Sequence, residues 1–418
     1  MCSCSSSVDS CRGRTSTPRP QRSLPRTPSG RLHGPTTTSR SPTGCTSALR
    51  TPQPSTRSPV PHIPTRSRTV PAASAAHRSG GNAPLAWWLA ATVCVTVVVA
   101  LLAIGFGSVN ISADRVIAVL CANLTRRAAG LDPLDQQIVW ELRVPRVLMA
   151  AVVGASLALA GAALQGLLRN PLADPFIVGV SSGASLGAVL VMSFGSGALF
   201  GLSTPAAAFI GALVLLLLVF AFAQRSGSFT DIRLVLSGVA LGYVAMAGTS
   251  FAQLQAEPGQ VRGILFWMMG SVAGARWETL ALPTVALLGA GAWLLIQARG
   301  LNALALGDDD AVAVGVDLRR FRLGLLLVAA LLTAVTVAVA GGVGFVGLIV
   351  PHAVRMLVGA DHRRLLPVSA LSGAVFLVLV DLVARTIGSP NEYPLTIFTA
   401  LVGGPFFLWL MRSPEGRS

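Results

Sequence analysis

The sequence predicts an all-α, polytopic membrane protein with about ten transmembrane helices and an N-terminal tail that does not fold. Hydrophobic residues make up 52% of the 418 residues and charged residues only 12%, whereas soluble domains carry about 25% charged residues. Apolar runs of about 20 residues recur along the chain, the length that a helix needs to cross a bilayer core. A β-barrel would instead show alternation with a period of two.

The tail, residues 1–80, contains 12 prolines and 12 arginines but only one acid, Asp9. Such a segment buries too little apolar surface to offset its conformational entropy, so we expect it to be disordered. The net charge of +15 therefore belongs mostly to the tail, and it does not indicate a nucleic-acid partner. An alternative is that translation begins further downstream, near Val70.

The folded domain is predicted over residues 86–412 as ten spans, with boundaries that sequence patterns place only within a few residues. The predicted spans are 86–107, 147–167, 176–198, 206–224, 232–254, 279–298, 322–341, 345–359, 366–386 and 394–411.

The arginine distribution predicts the orientation of these spans. An even number of spans puts both termini on one side of the membrane. With that side in the cytoplasm, the short cytoplasmic loops and the C-terminus hold 12 arginines outside the tail, against eight on the opposite side. This bias agrees with the positive-inside rule. It predicts a multi-pass protein of the plasma membrane with both termini in the cytoplasm.

The residue types exclude several classes of function. The chain contains no lysine, so it has neither a P-loop lysine nor Schiff-base chemistry. If ATP drives this protein, another subunit must bind the nucleotide. His352 and His362 lack the spacing of a helical metal pair, and no catalytic set is evident. We therefore expect a non-enzymatic chain without a resident cofactor or metal.

The most specific motifs lie within residues 141–187: an R-x-P-R entry at Arg143 and Arg146, N-P-L-A-D-P at 170–175 and G-V-S-S-G-A at 179–184. This block closely resembles the permease subunits of ABC importers for ferric siderophores, haem and cobalamin, the FecCD family of type II importer permeases. Weaker matches continue in the same order across the folded domain.

The resemblance implies a type II permease fold and alternating access driven by separate ATPase subunits. It also implies a second permease subunit, as a homodimer or with a similar chain, an extracytoplasmic substrate-binding lipoprotein and surrounding membrane lipid. The implied cargo is a ferric siderophore, with haem or cobalamin as alternatives.

Three arginines with predicted extracytoplasmic positions run against the arginine bias: Arg143, Arg146 and Arg385. A guanidinium suits bidentate pairing with a carboxylate, and the resemblance implies that these arginines receive acidic residues of the binding protein. The alternatives are snorkelling to the interface or an Asp381–Arg385 ion pair at i,i+4.

A second candidate region is the predicted cytoplasmic loop 301–320, with the pattern Gly307-Asp308-x-x-Ala311-x-x-x-Gly315. The pattern resembles the loop by which importer permeases contact their ATPase subunits. A short helix here would seat in a groove of a soluble partner and transmit a rigid-body shift. The alternative is a connector that only caps two spans.

The third candidate region follows the second span. The resemblance implies that it lies near the cytoplasmic end of the translocation path, and Asn170 or Asp174 can cap exposed amides there. Simple helix termination is the alternative to a gate role for Ser182. The candidate path residues are Asn170, Ser181, Ser182 and Gly183.

A different class of function, an ion-coupled secondary transporter, needs acidic residues within the spans. Asp381 is the one clear intramembrane acid, and Arg385 lies one helical turn away. This arrangement disfavours a proton relay.

Overall fold

The computed structural model describes residues 84–107, 111–125, 132–223, 231–389 and 391–412. The predicted tail lies outside these ranges. Within them the chain forms helices connected by loops, with no β-strand.

Helical segments account for all ten predicted spans. Among the described residues, seven helices are long and apolar enough to cross a membrane, and α5, α13 and α15 are shorter apolar helices. The helices are α1 (Leu85–Gly105), α2 (Ala113–Thr125), α3 (Pro133–Gln136), α4 (Val144–Leu167), α5 (Val180–Phe194), α6 (Thr204–Ala223), α7 (Asp231–Leu254), α8 (Pro258–Met268), α9 (Trp277–Ile296), α10 (Ala298–Leu306), α11 (Asp308–Ala313), α12 (Leu318–Ala340), α13 (Val346–Val358), α14 (His362–Thr386) and α15 (Leu395–Arg412).

Helix α4 is the most enclosed of the long helices, and small residues let its neighbours approach closely. A side chain at Gly154 would overlap the carbonyl of Gly373 on α14, and one at Gly161 would overlap the carbonyl of Gly347 on α13. Small residues at helix contacts are typical of membrane proteins, where close packing replaces the hydrophobic effect between helices. Small residues of the second predicted span are therefore used in helix packing.

Polar side chains gather at two opposite ends of the helix bundle. At one end Asp308 lies 2.9 Å from both Arg169 and Arg322. At the other, Arg146 pairs with Asp381 at 2.9 Å. We call these the Asp308 end and the Arg146 end. Helix α4 runs between them, so the predicted docking arginines and the predicted coupling loop are separated by the length of a span.

Five helix ends meet inside the bundle at non-helical backbone, which we call the central junction and define as residues 269–272 and 341–345. Helices α8 and α12 end there, while α5, α13 and α15 begin beside it. The Ser271 amide donates to the Ala340 carbonyl at 2.8 Å, and the Leu395 amide donates to the Gly270 carbonyl at 2.9 Å.

The central junction lies beside α4 inside the bundle, because Gly347, just beyond it, packs on Gly161 in the second half of that helix. Gly341 has φ +70°, and a side chain there would overlap the Trp267 carbonyl. Irregular backbone at membrane depth occurs only where protein buries it or where it lines a water-filled cavity. The junction is therefore a candidate part of a path through the bundle.

Candidate docking cluster, coupling helices and central junction

The three predicted docking arginines lie together at the Arg146 end, and we call them the outer arginine cluster. Arg143 ends a π-helical turn, Gln137–Arg143, that leads directly into α4. Arg146 follows one turn later, and Arg385 lies in the last turn of α14. A pocket of about 260 Å³ adjoins all three side chains and Glu392.

Arg146 is held between two carboxylates. Its Nε and Nη2 donate to Asp381 Oδ1 at 3.0 and 2.9 Å, and its Nη1 donates to Glu392 Oε1 at 2.7 Å. The Asp381 side chain is 1% exposed, whereas that of Glu392 is 37% exposed. The guanidinium thus has one deeply buried partner and one partner that reaches solvent.

The other two arginines cap the end of α1. Arg143 Nη1 donates to the carbonyls of Ile104 and Gly105 at 2.7 and 2.8 Å, and Arg385 Nη2 donates to the carbonyl of Ala103. The last carbonyls of a helix lack partners within the helix and attract cations. The helix end therefore explains why two arginines tolerate burial here.

The ion pair weighed from the sequence is present, with Arg385 Nε 3.6 Å from Asp381 Oδ2. The side chain of each clustered arginine is at least 87% buried and has a partner in its own chain. The three arginines that stand out in the sequence lie around one pocket in the structure. Docking to a partner protein stays a prediction. For a partner to bind these guanidinium groups, it would have to replace contacts that they now make within the chain.

Sequence reasoning missed Glu392 as part of this cluster. Glu392 lies 246 residues from Arg146 in the chain, so no local spacing connects them. The available signal was a single acid between predicted spans nine and ten, close in sequence to Arg385.

The predicted coupling loop forms two short helices, α10 and α11, separated by Gly307 with φ +147°. Helix α11 ends in a Schellman motif: the Gly315 amide donates to Val312 O at 2.9 Å, and the Val316 amide donates to Ala311 O at 3.0 Å. Gly315 has φ +86°, the left-handed conformation that this motif requires. The glycine of the sequence pattern thus has a local structural reason.

Asp308 and Ala311 fix α11 to the bundle. The Ala311 side chain is buried. Asp308 begins the helix, where a carboxylate suits the helix dipole, and binds Arg169 after α4 and Arg322 on α12. A displacement of α11 would therefore act directly on both spans.

Helix α10 is tied to α14 by a polar clamp that sequence reasoning did not identify. Asn302 Nδ2 donates to Asp361 Oδ1 at 2.7 Å, and the His362 amide donates to Asn302 Oδ1 at 2.9 Å. Partial burial opposes ionisation of Asp361, but the Asn302 hydrogen bond, with Arg363 and Arg364, lowers its pKa below the usual value overall.

Apolar side chains protrude beside these charges. Leu306, Val312 and Val314 are 78, 57 and 69% exposed, and we call them the α11 apolar patch. Asp309 and Asp310 are also exposed. An apolar patch rimmed by polar residues is typical of a protein interaction site.

The predicted path residues separate into two places. Asn170 lies one residue beyond Arg169, at the Asp308 end, and its side chain accepts from the Leu172 amide at 2.9 Å. Asp174 accepts from the Phe176 amide at 2.8 Å, so both predicted capping interactions form. Burial raises the pKa of Asp174 despite that hydrogen bond, which lowers it.

Ser181, Ser182 and Gly183 do not lie at the same end as Asn170. They begin α5 at the central junction, where a Cβ on Gly342 would be 3.9 Å from Ser181 Oγ and one on Gly242 would be 3.4 Å from Ser182 Oγ. The segment re-enters the bundle because Pro175 packs on Gly347. The structure thus separates Asn170 from Ser181, Ser182 and Gly183, and the role of all four in the translocation path stays a prediction.

The sequence of this chain matches a known family of transport proteins. The family model of the FecCD transport family matches residues 95–413. The chain belongs to the FecCD transport family. The all-α fold and the family resemblance predicted from the sequence are thereby confirmed.

Relatives of this FecCD permease are named for different transported substrates. A cobalamin import system permease of Halobacterium salinarum is 48% identical over 69% of this chain and 77% of its own length. A hemin transport system permease of Yersinia pestis is 45% identical over 67% of this chain and 85% of its own length. A molybdate import system permease of Haemophilus influenzae is 40% identical over 74% and 91%.

A solved structure extends the likeness to three dimensions. It is an inward-facing conformation of a metal-chelate type ABC transporter, with TM-score 0.67 and 36% sequence identity, covering 77% of this chain and 98% of that one. The FecCD protein described here is accordingly an integral membrane permease of the ABC importer type.

Proposed function

We propose that this permease moves a metal chelate inward across the plasma membrane by alternating access, as half of a permease dimer. The observation that carries the proposal is the central junction. Broken helices at membrane depth mark substrate paths in transporters, and this junction lies inside the bundle, between the Arg146 end and the Asp308 end. The Asp308 end faces the cytoplasm, as the arginine bias predicts.

ATPase subunits dock at α10 and α11. The α11 apolar patch supplies the contact area, and the exposed acids beside it supply charge. Asp308 and the Asn302 clamp connect this surface to α4, α12 and α14, so a shift imposed by an ATPase reaches three spans. ATP binding itself belongs to the separate subunit, since this chain has no lysine.

An extracytoplasmic substrate-binding protein docks at the Arg146 end. The outer arginine cluster offers the concentrated positive charge that an acidic side chain of a partner would recognise. The pocket beside the cluster gives such a side chain a way in.

Ser181 and Ser182 form part of the gate at the central junction. Each faces a glycine on a neighbouring segment, Gly342 and Gly242 respectively. Because glycine has no side chain, the segments that carry these residues can separate without displacing a large side chain.

The cargo proposed from the sequence is a ferric siderophore. The cobalamin and hemin names of two relatives and the metal-chelate transporter of similar fold support the broader class. Haem and cobalamin are therefore the alternative cargoes. Uptake should be compared in proteoliposomes that contain the permease and its ATPase. In each experiment the binding protein is loaded with one of the three chelates. Accumulation of cobalamin or haem alone would replace the siderophore assignment.

An ion-coupled secondary transporter is disfavoured by the surroundings of Asp381. This intramembrane carboxylate is engaged by Arg146 and Arg385. A carboxylate that is paired with two guanidinium groups of its own chain has a structural role, and this disfavours its use as a proton carrier through the bundle.

A further inference from the structure

Each guanidinium of the outer arginine cluster is already engaged by its own chain, so a docking partner must displace something. Arg143 and Arg385 bind backbone carbonyls of α1, which remain in place as long as α1 is folded. Asp381 is buried on α14 between Arg146 and Arg385. Removing that carboxylate would leave the buried Arg385 with a backbone carbonyl but no counter-charge, and would leave Asp381 itself buried and unpaired, at high cost.

Glu392 differs from these partners in exposure and in backbone setting. Its carboxylate is partly exposed and lines the pocket beside the cluster. It lies in the non-helical segment before α15, so its release breaks no helical hydrogen bond. A partly hydrated carboxylate also regains water at low cost. Of the cluster's described partners, it is the group suited to exchange.

We propose that Glu392 is an internal counter-ion that occupies Arg146 in the undocked permease and gives way to a carboxylate of the docking protein. The proposal rests on the docking site assigned above and adds a positioning residue to it. The exchange preserves charge at Arg146: one carboxylate leaves the guanidinium and another takes its place.

The position of Glu392 connects this exchange to the central junction. The Tyr393 amide donates to the Ala384 carbonyl at 3.2 Å, which folds the segment back on α14. Two residues later α15 begins, where the Thr396 amide donates to Met269 O at 3.1 Å and Thr396 Oγ1 donates to Gly342 O at 2.7 Å.

Gly342 in turn faces the hydroxyl of Ser181. Movement of Glu392 away from Arg146 therefore pulls on a short segment that is bonded to both halves of the central junction. Docking outside would in this way reach the proposed gate without moving α4 or α14.

The test uses the permease with its ATPase subunits in lipid nanodiscs, and as probe its cognate substrate-binding protein in soluble form. Glu392→Gln removes the competing charge and keeps the shape. We expect it to tighten binding of the probe roughly two- to fivefold, the range that a partly exposed ion pair accounts for. The control is Glu141→Gln, because Glu141 is exposed at the same end and outside the cluster; it should leave the affinity unchanged.

A second measurement follows the segment itself. In a background without native cysteines, the variant Asn391→Cys should react with a charged thiol reagent at a different rate once the probe binds. Glu392→Gln should bring the rate for the free permease close to that of the bound state. If Glu392 had only a structural role, its replacement would not both raise the affinity for the probe and bring the thiol reaction rate close to that of the bound state.

The outcomes separate the two proposals. Suppose that binding is sensitive to salt and that Arg146→Gln weakens it. If Glu392→Gln then leaves the affinity unchanged or lowers it, the counter-ion role is overturned and the docking site is not. Binding insensitive to salt and to both substitutions would overturn the docking site and the counter-ion together. If Arg146→Gln does not fold, the docking site is tested by the salt dependence of binding to the parent protein. Binding that does not weaken as the salt concentration rises would then overturn the docking site.

Discussion

At the scale of single residues, this permease depends on glycines that let backbones touch and on a few charged side chains with several partners. Gly161 illustrates the first kind, since its α-carbon faces the backbone of Gly347 with no room for a methyl group. Asp308 illustrates the second, because one carboxylate binds arginines from two separate parts of the chain.

Replacing Gly161 with alanine should destabilise the protein. The added methyl group overlaps the Gly347 carbonyl and must push α4 and α13 apart, and such overpacking costs about 1–3 kcal/mol. The melting temperature of the purified permease in detergent should fall. The matched control is Gly289→Ala on α9, where open space surrounds the site. A Gly161→Ala protein as stable as the parent would contradict the close packing described here.

Replacing Asp308 with asparagine should reduce transport per ATP hydrolysed while changing stability little. Partly exposed ion pairs contribute about 1 kcal/mol or less, but the substitution loosens α11 from α4 and α12. The ratio of cargo uptake to ATP hydrolysis measures the effect. Asp309→Asn, one residue along and exposed, is the control. Equal ratios in the two variants would show that Asp308 does not transmit the movement.

At the scale of elements, the sequence anticipated the long helices and the connection between the sixth and seventh spans, but not the short helix α8. Long apolar runs predict spans because burial in lipid demands length and hydrophobicity together. Helix α8 has 11 residues, too short for that pattern. The contact of Ser181 with the central junction could not be predicted for a related reason: it depends on the tertiary packing of Pro175 on Gly347, which returns the chain into the bundle.

The end of α11 gives a prediction at this scale. Gly315→Val places a β-branched residue at φ +86°, which costs about 1–2 kcal/mol and favours a different helix end. We expect ATP hydrolysis to continue while uptake falls. Gly315→Asn should retain coupling, because asparagine tolerates the left-handed conformation. The ratio of uptake to hydrolysis in the two variants is the measurement, and equal values would argue against a role for this cap.

At the scale of the whole molecule, two polar ends are joined through a junction of broken helices. The outer arginine cluster could be anticipated from its position against the arginine bias, whereas Glu392 and the Asn302 clamp arise from contacts between distant parts of the chain. Physical reasoning from sequence finds residues that stand out locally, and it misses partners that only the fold brings together.

The central claim is that this chain is the path of an ATP-driven importer and works only with its partners. The most direct measurement is uptake of a radiolabelled metal chelate into proteoliposomes that hold the permease, with ATP inside. We predict accumulation when ATPase subunits and binding protein are both present, and none when either is omitted. Uptake by the permease alone, driven by an ion gradient, would contradict the account.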